Sequence, residues 1–324
     1  MNTVDKNIKI LEPKEQLTLL GFNDYFDFFI KLFKKSELPN VILLNGSKGL
    51  GKATFAYHFI NYLLSKNEGN KYLLDHYNID NKNLSFRSLI NRTHPNFFLI
   101  ENAVTEKEIK IEQVRNLHQF LYKSTYSKDL KIIMIDNAEN LNLNSSNALL
   151  KALEEPQDNT FFFIIHNSNY KVLDTIKSRC MEFKIFFSTD KKNNIFKKLL
   201  DLHNVNINYS KIIEDLNFDT PGNLLRYLQI LYNTDINPNE NKLLTIFYFI
   251  DKFKTDKNQE ILLLMTLLIE KFYNELILSE KMDLNALTSN YKNILNLINN
   301  MKNYSLDEKN VLISIKDILK NEAK

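Results

Sequence analysis

The run Asn45-Gly46-Ser47-Lys48-Gly49-Leu50-Gly51-Lys52-Ala53-Thr54 puts Gly46, Gly51 and Lys52 at the spacing G-x-x-x-x-G-K of a phosphate-binding loop. The chemistry needs that spacing. Glycines let backbone N–H groups close around phosphate oxygens, a helix N-terminus adds positive potential, and the lysine reaches the outer phosphates. Three of the chain's 6 glycines lie in this stretch, and Gly46 to Thr54 form the candidate nucleotide-binding segment. One position departs from the pattern. The residue after the lysine, normally a Ser or Thr that ligates Mg²⁺, is Ala53.

Asp136 follows the apolar run Lys131-Ile132-Ile133-Met134-Ile135 and has the form of a Walker B carboxylate, which holds Mg²⁺ through water from a strand tip facing the phosphates. The plainer reading is an ordinary Asp at a strand end. In hydrolysing members a Glu follows directly and polarises the attacking water; here Asn137 stands there, and an amide accepts no proton at neutral pH. Asn167, just past Phe161–Ile165, either touches the terminal phosphate or its water, or serves a turn. Arg179, in Ser178-Arg179-Cys180, serves its own site, serves a neighbour's, or forms a surface ion pair. The lone Cys180 beside an apolar strand reads as a buried structural thiol. The six histidines show no ligand spacing.

These residues need elements to position them. Val41–Asn45, Phe97–Ile100, Lys131–Ile135, Phe161–Ile165 and Met181–Phe187 are short apolar runs alternating with helical patterns, with almost no period-two alternation. That is the signature of an α/β fold with a parallel five-stranded sheet buried on both faces. Helices are expected around Tyr25–Phe33, over the segment after Lys52, over residues 72–92, 109–123 and 145–155, and at Ile176. Beyond residue 188 the pattern is helical only: 190–203, 209–232, and long amphipathic helices over 242–319. Asn233–Asn241 reads as a linker. The expected division is 1–187, 188–233 and 234–324.

Composition bounds the rest. The chain has 324 residues, 44% hydrophobic and 25% charged, the balance of a folded soluble protein. A net charge of +3 is too small for autonomous nucleic-acid binding by electrostatics alone. A single cysteine excludes an internal disulfide framework and a multi-cysteine zinc site. No apolar run reaches membrane-spanning length and the N-terminus has no signal-peptide pattern, so the expected location is cytoplasmic, with no membrane partner.

Two further stretches carry a resemblance. Ser146-Asn147-Ala148-Leu149-Leu150-Lys151-Ala152-Leu153-Glu154-Glu155-Pro156, followed by Ser178-Arg179-Cys180, is similar to the clamp-loader branch of the AAA+ ATPases in bacterial DNA polymerase III. Lys52-Ala53-Thr54, His94-Pro95-Asn96, Ile111-Glu112-Gln113-Val114-Arg115 and Asp136-Asn137-Ala138-Glu139 resemble a subunit of that branch other than the ATP-hydrolysing tau/gamma motor. The similarity runs from about Gly21 to Phe186.

The resemblance implies a RecA-like AAA+ sheet domain, a small helical lid and an all-α C-terminal collar. It implies a hetero-pentamer with tau/gamma and delta subunits, acting on a sliding clamp and primer-template DNA. It carries Arg179 over as an arginine finger acting in trans on the neighbouring subunit's ATP site. For this chain it implies ATP binding without hydrolysis. The four-cysteine zinc module usual in such subunits is absent, since residues 65–93 contain no cysteine, so no zinc is expected. Near Pro221-Gly222, where relatives often carry a nucleotide-sensing arginine, this chain has Asn223, with Arg226 one turn on. Three other readings stay open: an autonomous ATPase of the motor type, a small-molecule kinase built on the same loop, and an adaptor with a relic loop.

Overall fold

The computed structural model describes residues 10–102, 108–122, 130–203, 219–232, 242–278, 284–304 and 307–322. The chain divides into two compact units. One comprises Leu11–Leu202 with Thr220–Asn223; the other comprises Met1–Ile10, His203–Asp219 and Leu224–Lys324.

The first unit is built on five strands, β1 (Val41–Gly46), β2 (Phe97–Ile100), β3 (Lys131–Ile135), β4 (Thr160–Asn167) and β5 (Met181–Lys184). All pairings are parallel, in the order β2-β3-β4-β1-β5. This is the parallel five-stranded sheet expected from the alternation of apolar runs and helices. Alternate residues of each central strand face opposite layers, and both layers are apolar. Ile42 and Leu44 of β1 pack with Phe161, Phe163 and Ile165 of β4 against Phe26 and Phe29 of α1 (Asn23–Lys34) and Phe55 and Phe59 of α2 (Lys52–Leu64). Val41 and Leu43 pack with Phe162 and Ile164 against α4 (Ile111–Tyr122) and α5 (Leu143–Glu154). With apolar side chains on both faces, the strands read as continuous hydrophobic runs.

Two sequence expectations are corrected. Residues 72–92 are not one helix; α3 covers only Leu84–Ile90, preceded by a single 3-10 turn at Leu74–His76. An antiparallel bridge between Leu73 and Asn78 and a left-handed Tyr77 (φ 48°) stop the helix from running through. Asn83 then starts α3 by accepting the Phe86 N–H at 2.7 Å. The segment is held by polar side chains: Glu68 accepts the N–H groups of Leu84 and Ser85 at 2.9 and 3.0 Å, and Asn83 donates to the Asn70 carbonyl at 2.6 Å. Second, β5 ends at Lys184 rather than Phe187. Past it, the Tyr25 hydroxyl of α1 donates to the Lys184 and Phe186 carbonyls at 3.4 Å.

α6 (Asp174–Lys177) and α7 (Thr189–Leu202) complete this unit. The second unit is helical among its described residues: α8 (Pro221–Tyr232, its first turn counted with the sheet), α9 (Lys242–Asp256), α10 (Gln259–Leu278), α11 (Leu284–Tyr304) and α12 (Glu308–Glu322). Its buried positions follow helical spacing, as in Ile246, Phe249, Ile250 and Phe253 of α9 and Leu312, Ile315 and Leu319 of α12. Lys316 of α12 donates to both carboxylate oxygens of Asp251 on α9 at 2.7 and 2.6 Å. The expected linker at 233–241 lies outside the described residues. None of the described helices is long and apolar enough to cross a membrane.

Candidate nucleotide site

β1 delivers the phosphate-binding loop to the C-terminal edge of the sheet, between β4 and β5, where Gly46 pairs with Asn167. Gly49 and Gly51 take φ of 83° and 92°, a region that L side chains rarely adopt. Gly51 sits at the N-cap of α2, so the loop leads straight into a helix N-terminus. Lys52, the first residue of α2, is buried; its ammonium donates to the carbonyls of Gly46 and Ser47 at 2.6 and 2.8 Å. Burial lowers its pKa to about 8, against the opposing pull of the Glu139 and Asp136 carboxylates. Leu50 anchors the loop in the core, and Ala53 packs against the same apolar layer. Ala53 therefore brings no oxygen to a Mg²⁺.

Asp136 caps β3, its N–H donating to the Ile100 carbonyl at 2.9 Å. Burial raises its carboxyl to about 6; a hydrogen bond from the Asn137 N–H at 2.9 Å works the other way, and the Glu101 and Glu139 carboxylates add to the rise. Asn137 is left-handed at φ 55°, which turns the chain sharply after the strand. The turn carries Glu139 back to accept the Asn167 N–H at 3.1 Å. Glu139 is also the largest charge acting on Lys52. The sequence alone marks Glu139 only by its place in the motif Asp136-Asn137-Ala138-Glu139. Asn167 is the last residue of β4 rather than a residue beyond it, because the register Gly46↔Asn167 continues the pairing. Its side-chain oxygen accepts the Asn169 N–H at 3.2 Å, a turn bond.

The loop is also held from outside. Thr220 Oγ1 donates to the Lys48 carbonyl at 2.7 Å and the Gly222 N–H donates to the Gly49 carbonyl at 2.9 Å. A Cβ on Gly222 would lie 2.7 Å from that carbonyl oxygen, so only glycine permits the approach. Arg226 is ion-paired with Glu260 in the helical unit.

Away from the loop, Arg179 lies between α6 and β5 with its guanidinium on Glu154, the last residue of α5. The ordinary surface ion pair weighed for this arginine is thus what the isolated chain forms. Cys180 is half-buried, its thiol pushed up to about 12 by burial and donating to the Ile176 carbonyl at 3.1 Å. That is an inert thiol.

The residues present fit a nucleoside triphosphate. Backbone N–H groups from Gly46 to Thr54 and the Lys52 ammonium would hold phosphates, and Asp136 would hold Mg²⁺ through water. At their positions Asn137 offers an amide in place of a carboxylate and Ala53 offers no side-chain oxygen.

A family model described as DNA polymerase III, delta subunit matches residues 22–188, which is 167 of the chain's 324 residues. The chain belongs to this family. The DNA polymerase III subunit delta' of Pseudomonas aeruginosa is 32% identical over 148 residues, 46% of this chain and 43% of that protein. The delta' subunit of Buchnera aphidicola subsp. Schizaphis graminum is 26% identical over 197 residues, 58% of each chain. The gamma subunit of the same bacterium is 27% identical over 219 residues, 63% of this chain and 56% of its own. The chain spans about half the length of the relatives it matches. The relatives matched are delta-prime and gamma subunits of DNA polymerase III, the clamp-loader type that the motifs resemble.

Proposed function

We propose that the chain acts as the delta-prime subunit of a bacterial clamp loader. It assembles with tau/gamma and delta subunits, retains ATP binding without hydrolysis, and supplies Arg179 to the ATP site of its neighbour while the complex loads a sliding clamp on primed DNA. The observation that carries this reading is the mismatch between two sites on one sheet. The chain's own phosphate loop is formed, yet Asn137 and Ala53 stand where a base and a metal ligand are needed. The arginine of Ser178-Arg179-Cys180 is intact and, at 28% side-chain exposure, lies at the surface. An arginine finger stabilises transition-state charge without any chemistry at its own subunit's nucleotide, so its host needs no base.

The test is ATP turnover by the isolated chain beside the assembled complex. The reading expects no turnover from the chain alone and DNA-dependent turnover when it joins tau/gamma and delta. A second reading, an autonomous ATPase of the motor type, gains support from Glu139, whose carboxylate acts on both Lys52 and Asp136. Steady turnover by the isolated chain that is lost in Glu139→Gln would favour it.

A further inference from the structure

Arg179 is held by its own subunit at all three guanidinium nitrogens. Nε donates to Glu154 Oε1 at 2.8 Å and one terminal nitrogen donates to the same oxygen. The other terminal nitrogen donates to the Thr175 carbonyl at 2.7 Å and to Ser178 Oγ at 3.3 Å. The Thr175 and Ser178 contacts are local, within four residues of the arginine. Glu154 is different, since it comes from α5, 25 positions earlier.

The helix gains nothing electrostatic from this glutamate. Glu154 is the last residue of α5 and Glu155 is its C-cap, so two carboxylates sit at the negative end of the helix dipole, where cations are favoured. Both are exposed. Lys151 in the same last turn offsets part of this charge, and the cation that Glu154 itself faces is Arg179.

We propose that Glu154 is the counter-ion that keeps Arg179 folded against its own subunit until a phosphate on an adjacent subunit replaces it. The inference rests on the arginine-finger reading above. The exchange swaps one ion pair for another and breaks no covalent bond. A guanidinium pairs with carboxylate and phosphate by the same forked geometry, and a phosphate oxyanion carries more charge. The pair is exposed enough for solvent to screen it, at 28% and 47% side-chain exposure. It therefore holds the arginine in one orientation in the free subunit yet releases it to a stronger anion. Glu154 is on this account a positioning residue that sets the affinity of engagement and leaves the rate of the engaged state untouched.

The experiment is Glu154→Gln in the complex reconstituted with tau/gamma and delta subunits, reading KM for ATP and kcat of DNA-dependent turnover at low and high salt. Glutamine keeps the shape and removes the charge. The expected result is a KM lowered by about two- to fivefold, the range open to an exposed ion pair, with kcat at the wild-type value and the difference shrinking as salt rises. An unchanged or raised KM, or a lowered kcat, overturns it. Arg179→Ala in the same series separates the two claims. If that variant loses turnover while Glu154→Gln matches wild type, the Glu154 inference alone fails. If Arg179→Ala turns over like wild type, the finger reading fails and the inference falls with it.

Discussion

Lys52→Met probes the phosphate loop in the chain without nucleotide. Methionine keeps an unbranched side chain and removes the ammonium. Folding lowers the Lys52 pKa from 10.5 to about 8, so the unfolded chain binds the proton more tightly across that window. Stability of the wild type therefore rises as pH climbs from about 8 toward 10.5. Below pH 8 the buried charge costs about 3 kcal/mol, at about 1.4 kcal/mol per pKa unit. Opposing it are the two bonds to the Gly46 and Ser47 carbonyls, worth about 1 kcal/mol each, which methionine cannot make. The variant is expected to be more stable than wild type by about 1 kcal/mol at pH 7. It should be less stable by about 2 kcal/mol near pH 10.5, with the curves crossing at about pH 9. Urea denaturation followed by circular dichroism across pH 7–10.5 measures this, and a fluorescent ATP analogue should show binding lost at every pH. A variant that is destabilised equally at pH 7 and pH 10 would refute the reasoning, because burial of the ammonium would then carry no cost.

Two further substitutions test the scaffold around the site. Glu68→Gln weakens the charge-assisted bonds to the first turn of α3 and should destabilise the chain by about 1–2 kcal/mol in urea denaturation; a loss under about 0.3 kcal/mol contradicts a supporting role for that carboxylate. Gly222→Ala forces a methyl to 2.7 Å from the Gly49 carbonyl and should cost about 1–3 kcal/mol, whereas Gly69→Ala, with nothing within 4 Å, should stay within about 0.5 kcal/mol of wild type. Equal effects from the two glycine variants would remove the case for a clamp on the loop.

How far the sequence reaches depends on whether a feature is local. The central strands are legible because both faces of the sheet are buried there, so Val41–Leu44 and Phe161–Ile165 appear as unbroken apolar runs. The phosphate loop is legible because its spacing is fixed by backbone geometry within a few residues. Glu139 is not, since its place beside Lys52 depends on a left-handed Asn137 and on the β3–β4 register acting together. The contact of Thr220 and Gly222 with the loop spans some 170 positions and leaves no local mark. The pairing of Glu154 with Arg179 joins two recognisable motifs, yet neither predicts the other as its partner. The helix expected over 72–92 fails for a related reason: the Leu73–Asn78 bridge and the Asn83 cap settle the backbone otherwise, and both depend on contacts that the local pattern does not show.

The central claim is that the competent catalytic group of this chain acts on a nucleotide held by another subunit. The direct measurement is DNA-dependent ATP turnover and clamp loading by a reconstituted complex carrying Arg179→Ala, with ATP binding to the isolated variant as the internal check. The account predicts unchanged ATP binding by the isolated variant and a loss of turnover at the neighbouring site of roughly 10³-fold or more, the scale of an arginine finger. Wild-type turnover and clamp loading by that complex would contradict it.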